Sequence, residues 1–378
     1  MSGAYTCACA AEVALCIEDA CAACAVAAPT GSEADRAAWV AARLTAAGLR
    51  PQRDGVGNVI VQFGSGAHPL VVAAHMDTVF ADLCDIRVTR DGPVLRAPGI
   101  GDNSLGVAGL LYLARRASQL QWAERVPLAL AATVGEEGLG NLRGSKAVVQ
   151  QLDPGEFVAL EGGFQDDLII SGAGSARFQI DVRAAGGHSW ANRGEPSAVH
   201  VLVGILGALL DRYPTESFNV GTVSGGDGIN VLAHQAAASV EFRDLSNRKL
   251  ELAQRLLLRR TQPVPVEREG ADVNSAHVTV TTLGMRLGGR VAKSHPLVRD
   301  ALGARADAGL ARPAFTTAST DANAALGQGV PAVTIGLAHN HGAHSLDEHV
   351  DVTDLDRALG AAWSLIVRRT DRDAPGHA

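Results

Sequence analysis

The chain has 378 residues, 47 % hydrophobic and 19 % charged, a length beyond that at which one core keeps growing and suited to two domains. Its formal net charge of −7 and the lack of any dense Lys/Arg run argue against a nucleic-acid surface. The longest apolar run, VLVGILGALL at 201–210, is about half of what a bilayer crossing needs, so small-molecule or peptide chemistry away from membranes is expected.

The amino-terminal stretch MSGAYTCACAAEVALCIEDA has no basic leader and carries Glu12, Glu18 and Asp19 among its apolar residues. That is not the make-up of a signal peptide, and a cytoplasmic location is expected. Five of the six cysteines (Cys7, Cys9, Cys16, Cys21 and Cys24) crowd this end, and Cys84 stands apart. They read as small apolar helix residues, because CAAC at 21–24 has neither the βαβ context of a redox pair nor a zinc spacing. Residues 30–50, TGSEADRAAWVAARLTAAGLR, predict a helix capped by Ser32, with Asp35 three residues on and Gly48 as its stop. Strands at 56–64 and 70–74, a helix at about 104–117, a strand at 126–134, a helix at 143–151 and a strand at 156–160 follow. Such alternation signals a parallel α/β sheet.

Between 173 and 288 the rhythm changes to β-α-β-β-α-β, a ferredoxin-like order, and the α/β pattern resumes with HPLVRDALGARADAG and PAVTIGLA. The expected fold is therefore an α/β domain with a mostly parallel sheet, residues 1–173 and 289–378, interrupted by an inserted α+β domain at 174–288. The first helix of the insert is apolar nearly all round, with Val199, Val201, Leu202, Val203, Ile205, Leu206, Leu209 and Leu210. It suits a core, with a subunit contact as the second use.

The stretch VVAAHMDTVF at 71–80 ends an apolar strand on His75, with Asp77 two residues later and so on the same side. A metal-bound imidazole commonly gives its second ring N–H to a carboxylate, which this pair would satisfy. Four further sites stand beside it: Asp102 in PGIGDNS, Glu136 and Glu137 in GEEGLG, Glu161 in LEGG, and His344 in HNHGAHSLDE. Most of these positions lie just past the carboxyl end of an expected strand, where open α/β sheets place their ligand sites. Two histidines and three carboxylates suit Zn²⁺, with Mn²⁺ or Co²⁺ as alternatives, and two ions sharing one carboxylate would use the whole set. Such a pair can activate a shared water and polarise a carbonyl, so hydrolysis is the natural chemistry. Adjacent Glu136 and Glu137 point apart on an extended backbone, which suits one to metal and the other to proton transfer.

These motifs in this order resemble the dinuclear zinc amidohydrolases that include tripeptidase, glutamate carboxypeptidase, aminoacylase and acetylornithine deacetylase, the M-twenty metallopeptidases. The resemblance rests on HMDTV at 75–79, GDN at 101–103, GEEG at 135–138, EGG at 161–163, GGHS at 186–189, STDAN at 319–323 and AHSLDE at 343–348. It implies a zinc-binding α/β domain and a ferredoxin-like lid through which two copies pair. By position it implies Asp102 as the ligand between two ions, His75 and Glu161 completing one, and Glu137 and His344 the other. Asp77 would orient His75, Glu136 would act as general base, and His188 would stabilise the oxyanion in the partner subunit's site. Asn230 and Arg243 match lid residues that hold the polar end of a substrate, and the Asp102–Asn103 bond is expected to be cis. The extra imidazoles of His339 and His341 depart from the pattern; His344 is preferred as ligand because Glu348 follows it at the family spacing. The substrate implied is a small peptide, with an N-acyl amino acid as the alternative.

Other classes fit less well. SGAGSAR at 171–177 runs into a strand where a dinucleotide fingerprint needs a helix, and no G-x-S-x-G elbow is present. A non-catalytic scaffold is disfavoured by the intact Glu136.

Overall fold

The computed structural model describes residues 7–83, 85–119, 127–213, 216–259 and 276–370; Cys84 lies outside them. The chain divides into two compact units, one of residues 1–172 and 289–378 and the other of residues 173–288.

In the larger unit the most apolar segments form the centre. Leu70–His75 and Leu128–Thr133 are buried along their whole length, and Glu156–Glu161 at every position but the first. Burial on both faces is what parallel strands covered by helices require, and it explains why these segments run apolar without alternation. Together with Ala332–Gly336 they form the parallel middle of a nine-stranded sheet. Val59–Phe63 joins one side antiparallel, and Asp167–Gly172 joins the other antiparallel while pairing in parallel with Ala314–Ala318. In this register His75 and Glu161 fall level on neighbouring strands, since Ala73 pairs with Ala159.

Helix Ala10–Ala25 buries Cys16, Ala20, Ala23 and Cys24, and all the described cysteines are free thiols. Burial pushes the Cys16 thiol up to about 12 and that of Cys24 to about 11, so both are inert packing groups. Asp19, fully buried in the same helix, is neutralised by Arg43 and by Arg115 at 2.8 Å. The next helix, Ala34–Ala46, departs from expectation at its start. Glu33 rather than Ser32 takes the capping position, and its carboxylate accepts from Gly31 N–H at 2.9 Å and binds Arg143 at 2.6 Å. The Glu33 carboxylate is thus spent on a loop N–H and a distant arginine, and the helix start has no side-chain cap. The far end follows the sequence: Gly48 adopts φ +79°, and the N–H of Leu49 donates to the Leu44 carbonyl at 3.1 Å.

The smaller unit has an antiparallel sheet in the order Phe218–Gly225, Gln235–Asp244, Gly174–Arg183, His277–Arg286, with helices Ala198–Arg212 and Asn247–Arg259. Numbered along the chain these strands lie 2-3-1-4, the arrangement that a β-α-β-β-α-β order gives when each helix returns the chain across the sheet. Helix Ala198–Arg212 buries Ala198, Leu202, Leu206 and Leu209 against Phe178, Phe218 and Phe242, each such side chain contributing roughly 1.5–3 kcal/mol apart from the alanine. Val203 and Leu210 on its other side stay 59 % and 50 % exposed, so the helix is a core element with an apolar outer face. Among the described residues no helix is long and apolar enough to cross a membrane.

Candidate metal centre

All the acid and imidazole candidates of the larger unit come together at the carboxyl ends of its parallel strands. His75 is the last residue of its strand, Glu161 the last of the neighbouring strand, and Glu136 and Glu137 follow Leu128–Thr133. His344 lies in the loop between the short strands His339–His341 and His349–Asp351, with φ +65°. Asp102 sits in the turn that enters helix Leu105–Ser118, and the Asp102–Asn103 peptide is cis.

Asp102 divides the set. Its Oδ1 lies 3.0 Å from Nε2 of His75, and its Oδ2 lies 3.1 Å from Nε2 of His344. Around His75 stands Glu161, 3.6 Å from Nε2; around His344 stands Glu137 at 3.0 Å. Two trios thus share one carboxylate, each oxygen of which serves a different imidazole. For bonds of 2.0–2.2 Å to a tetrahedral ion, neighbouring donor atoms lie about 3.3–3.6 Å apart. The separation to Glu161 falls in that range and the other three, 3.0–3.1 Å, are slightly shorter, and the donor set of two imidazoles and three carboxylates fits two borderline divalent ions.

Mutual charge interactions set the protonation of these groups. Burial pushes His75 towards its neutral form, but Asp102, Asp77 and Glu161 prevail and hold it well above the usual imidazole range. Hydrogen bonds to Asp102 and Glu137 raise His344 to about 10. Burial raises Glu161 to about 7 against the pull of His75, and Asp102, facing both imidazoles, is held below the carboxylate range despite its burial. A cluster this short of positive charge is one that a divalent cation completes.

The framework around the trios explains why the loops hold. Asp77, 0 % exposed, accepts from the backbone N–H of Glu136 at 2.9 Å, from that of Glu137 at 3.0 Å, and from the Thr30 hydroxyl at 2.9 Å. Its carbonyl lies 3.1 Å from Nδ1 of His75 and its Oδ1 3.7 Å away, so the backbone oxygen is the nearer acceptor for that ring proton. Asp77 therefore ties the histidine strand to the glutamate loop. Burial opposes its charge, but His75 and the two N–H donors hold it at about 2. Glu137 is extended, φ −73° and ψ 150°, so its side chain and that of Glu136 diverge, and both are nearly buried.

Three residues outside the candidate set also hold the centre. Glu348 is fully buried and accepts from the N–H groups of Gly99 at 2.6 Å, Gly101 at 3.0 Å and Asp102 at 2.8 Å, which fixes the Asp102 turn. Burial nonetheless raises its carboxyl to about 7. Asn103 donates to the Leu160 carbonyl at 3.0 Å and accepts from Gly162 N–H at 2.8 Å, locking that turn to the strand end that carries Glu161. A Cβ at Gly106 would meet Asn103 Oδ1 at 2.0 Å, so glycine alone lets the helix start sit this close. Arg36 is buried, with Nη1 donating to the Met76 carbonyl at 2.8 Å and Nε to that of Val26 at 2.8 Å. The motifs GDN and AHSLDE already contained Asn103 and Glu348; nothing local marks Arg36, whose partners are backbone atoms distant in sequence.

His188, Asn230 and Arg243 belong to the smaller unit. His188 is exposed, and its Nδ1 accepts from the N–H groups of Trp190 at 3.2 Å and Ala191 at 3.3 Å. In the neutral ring the proton then sits on Nε2, a donor. His188 pairs with Val231 across two short strands, and the carbonyl of Asn230 accepts from Ser189 N–H at 2.9 Å. Arg243 is held by Glu241 through Nε at 2.9 Å, and Glu241 also binds Arg177 at 2.7 Å.

The family model described as peptidase family M20/M25/M40 matches residues 71–368. No curated protein matches the chain. Among solved structures it is similar to aminopeptidase PepT from Bacillus cereus, at 21 % identity over 94 % of this chain and 98 % of that one, with a TM-score of 0.72. It is also similar to a tripeptidase from Staphylococcus aureus, at 17 % identity over 94 % and 97 % of the two chains, with a TM-score of 0.74. A third, the YXEP protein of Bacillus subtilis, described as a dinuclear metal-binding peptidase, is 14 % identical over 94 % and 98 % of the chains, with a TM-score of 0.63. With the match spanning most of its length, and with His75, Asp102 and Glu137 offering donor atoms within 4.8 Å of one another, the chain belongs to the peptidase family M20/M25/M40 and is a metallohydrolase.

Proposed function

We propose that the protein is an exopeptidase of tripeptidase type that hydrolyses the amide bond of small peptides, with two Zn²⁺ held by His75, Asp102 and Glu161 and by His344, Asp102 and Glu137. The observation that carries the proposal is the division of Asp102 between the two imidazoles. When bound, the ions supply Lewis acidity to the scissile carbonyl and to the attacking water. Glu136 takes a proton from that water and returns it to the leaving amine. Asp77 keeps the Glu136–Glu137 backbone in place while this happens. His188, with its proton on Nε2, serves as a donor to the oxyanion, and Asn230 and Arg243 help to hold the substrate's polar end; these three assignments rest on the family motifs.

The peptidase reading is favoured over a deacylase or carboxypeptidase by the structural likeness to an aminopeptidase and a tripeptidase. The engagement of Arg243 with Glu241 points the same way, since a deacylase leans on such a residue to hold a carboxylate. A plain tripeptide and its N-acetylated counterpart, offered side by side to zinc-loaded protein, test it. The free tripeptide is expected to be cut and the blocked one spared, with activity abolished by a chelator and restored by Zn²⁺. Cleavage of the blocked substrate alone would transfer the assignment to deacylase or carboxypeptidase.

His188 is further proposed to act across a homodimer formed through the smaller unit, whose Val203, Leu210 and Val223 are more than half or half exposed in the single chain. Sedimentation is expected to give twice the chain mass. A fully active monomer would remove the trans role of His188.

A further inference from the structure

Three imidazoles outside the metal centre lie together on a small antiparallel sheet of the larger unit. Strand His339–His341 pairs with His349–Asp351, which pairs with Val94–Arg96. His341 stands opposite His349, and His339 opposite Asp351. Alternation puts His339 and His341 on one face, and cross-strand partners share that face. Asn340 and Val350 turn the other way: the Asn340 amide donates to Glu348 at 3.4 Å, and Val350 is fully buried.

On the open face the rings of His341 and His349 stack, with centroids 5.1 Å apart and planes 27° from parallel. Two of the three imidazoles also have their tautomer set. Nδ1 of His349 lies 3.1 Å from the Asp347 carbonyl, and Nδ1 of His339 lies 3.1 Å from the Asp166 carboxylate. A carbonyl only accepts, so in the neutral His349 ring the proton sits on Nδ1 and Nε2 keeps its lone pair. This is the arrangement that orients a histidine for metal binding. Asp166 and Asp351 lower the potential of the face, while Arg96, opposite His349, is its positive neighbour and is exposed.

We propose that His341 and His349 form a separate transition-metal site, a two-imidazole chelate for Zn²⁺ completed by water, on the two strands that flank the loop holding His344. Opposed Cβ atoms on paired strands lie about 4.5–5.5 Å apart, close enough for two imidazoles to reach one ion. Imidazole pairs suit Zn²⁺, Cu²⁺ and Ni²⁺ over Mg²⁺ or Ca²⁺. A bound ion staples the base of the 342–348 loop.

Full-length protein, dialysed against rising Zn²⁺, is compared with H341F and H349F, which keep an aromatic ring in the stack and remove its ligand nitrogen. Wild type is expected to hold one zinc more than either variant at high Zn²⁺, with equal peptide turnover at low Zn²⁺. The test reads a difference between proteins, so it holds whatever number of ions the Asp102 centre takes. A wild type that binds no more zinc than the variants overturns the proposal. In wild type alone, the ring ¹H–¹⁵N signals of His341 and His349 are expected to move together during the last zinc step, and signals that stay still there would also overturn it.

Discussion

Glu136→Gln is expected to lower kcat by about 10²–10⁴-fold while zinc content and thermal stability stay close to wild type. The separation of effects follows from the geometry. Glu137, not Glu136, faces His344 at 3.0 Å, and the extended backbone between the two sends their side chains apart. The hold of Asp77 on this loop goes through the backbone N–H of residue 136, which glutamine keeps. Loss of the proton carrier should therefore appear in turnover rather than in binding. Zinc analysis by atomic absorption beside steady-state kinetics decides it: turnover within tenfold of wild type would show that another group moves the proton, and lost zinc would place Glu136 among the ligands.

Asp77→Asn is expected to cost about 2–3 kcal/mol in the chelator-treated protein at pH 7, and to lower zinc affinity by about 10–100-fold. The wild-type carboxylate accepts from two backbone N–H groups, whereas an amide must turn its NH₂ towards one of them. The sign of the pH dependence follows from the depressed carboxyl, about 2 in the fold against the ordinary 3.8. A depressed acid contributes stability that is present in full above its unfolded pKa and is lost as pH falls through the folded value. Its share, about 2 kcal/mol at pH 7, should shrink between pH 4 and pH 2, so wild type and variant converge there. Urea unfolding at pH 7 and pH 3 measures it, and a gap that is the same at both would assign the loss to something other than the charge of Asp77.

The sequence carried the architecture well because its signals were strong and local. Wholly apolar strands of five or six residues, separated by helical stretches, leave little room for anything but a covered parallel sheet, and the β-α-β-β-α-β order marks the insert. The ligand candidates were legible for a related reason: each ends a strand or sits in the adjoining loop, and the sheet brings those ends to one edge. What the sequence concealed depends on contacts between distant segments. Ser32 has the chemistry of a helix cap, yet Glu33 takes that place, and its carboxylate pairs with Arg143 more than a hundred residues away. Arg36 sits among alanines like any helical arginine, and only the fold shows that it reaches the Met76 carbonyl beside His75. The carboxylate of Asp77, expected to orient His75, meets the backbone N–H groups of residues 136 and 137 at hydrogen-bond distance, while its backbone carbonyl is the nearer acceptor for the His75 ring.

The chain leaves the larger unit at Gly172 and returns at Gly289, and these two residues face each other as antiparallel partners at the sheet edge. Exit and re-entry are thus adjacent, as at the two ends of a hairpin, and every candidate ligand lies outside the excursion. The smaller unit is in effect an insertion at one edge of the sheet that carries the candidate metal ligands. A change of length or sequence between residues 173 and 288 therefore touches none of the candidate metal donors directly.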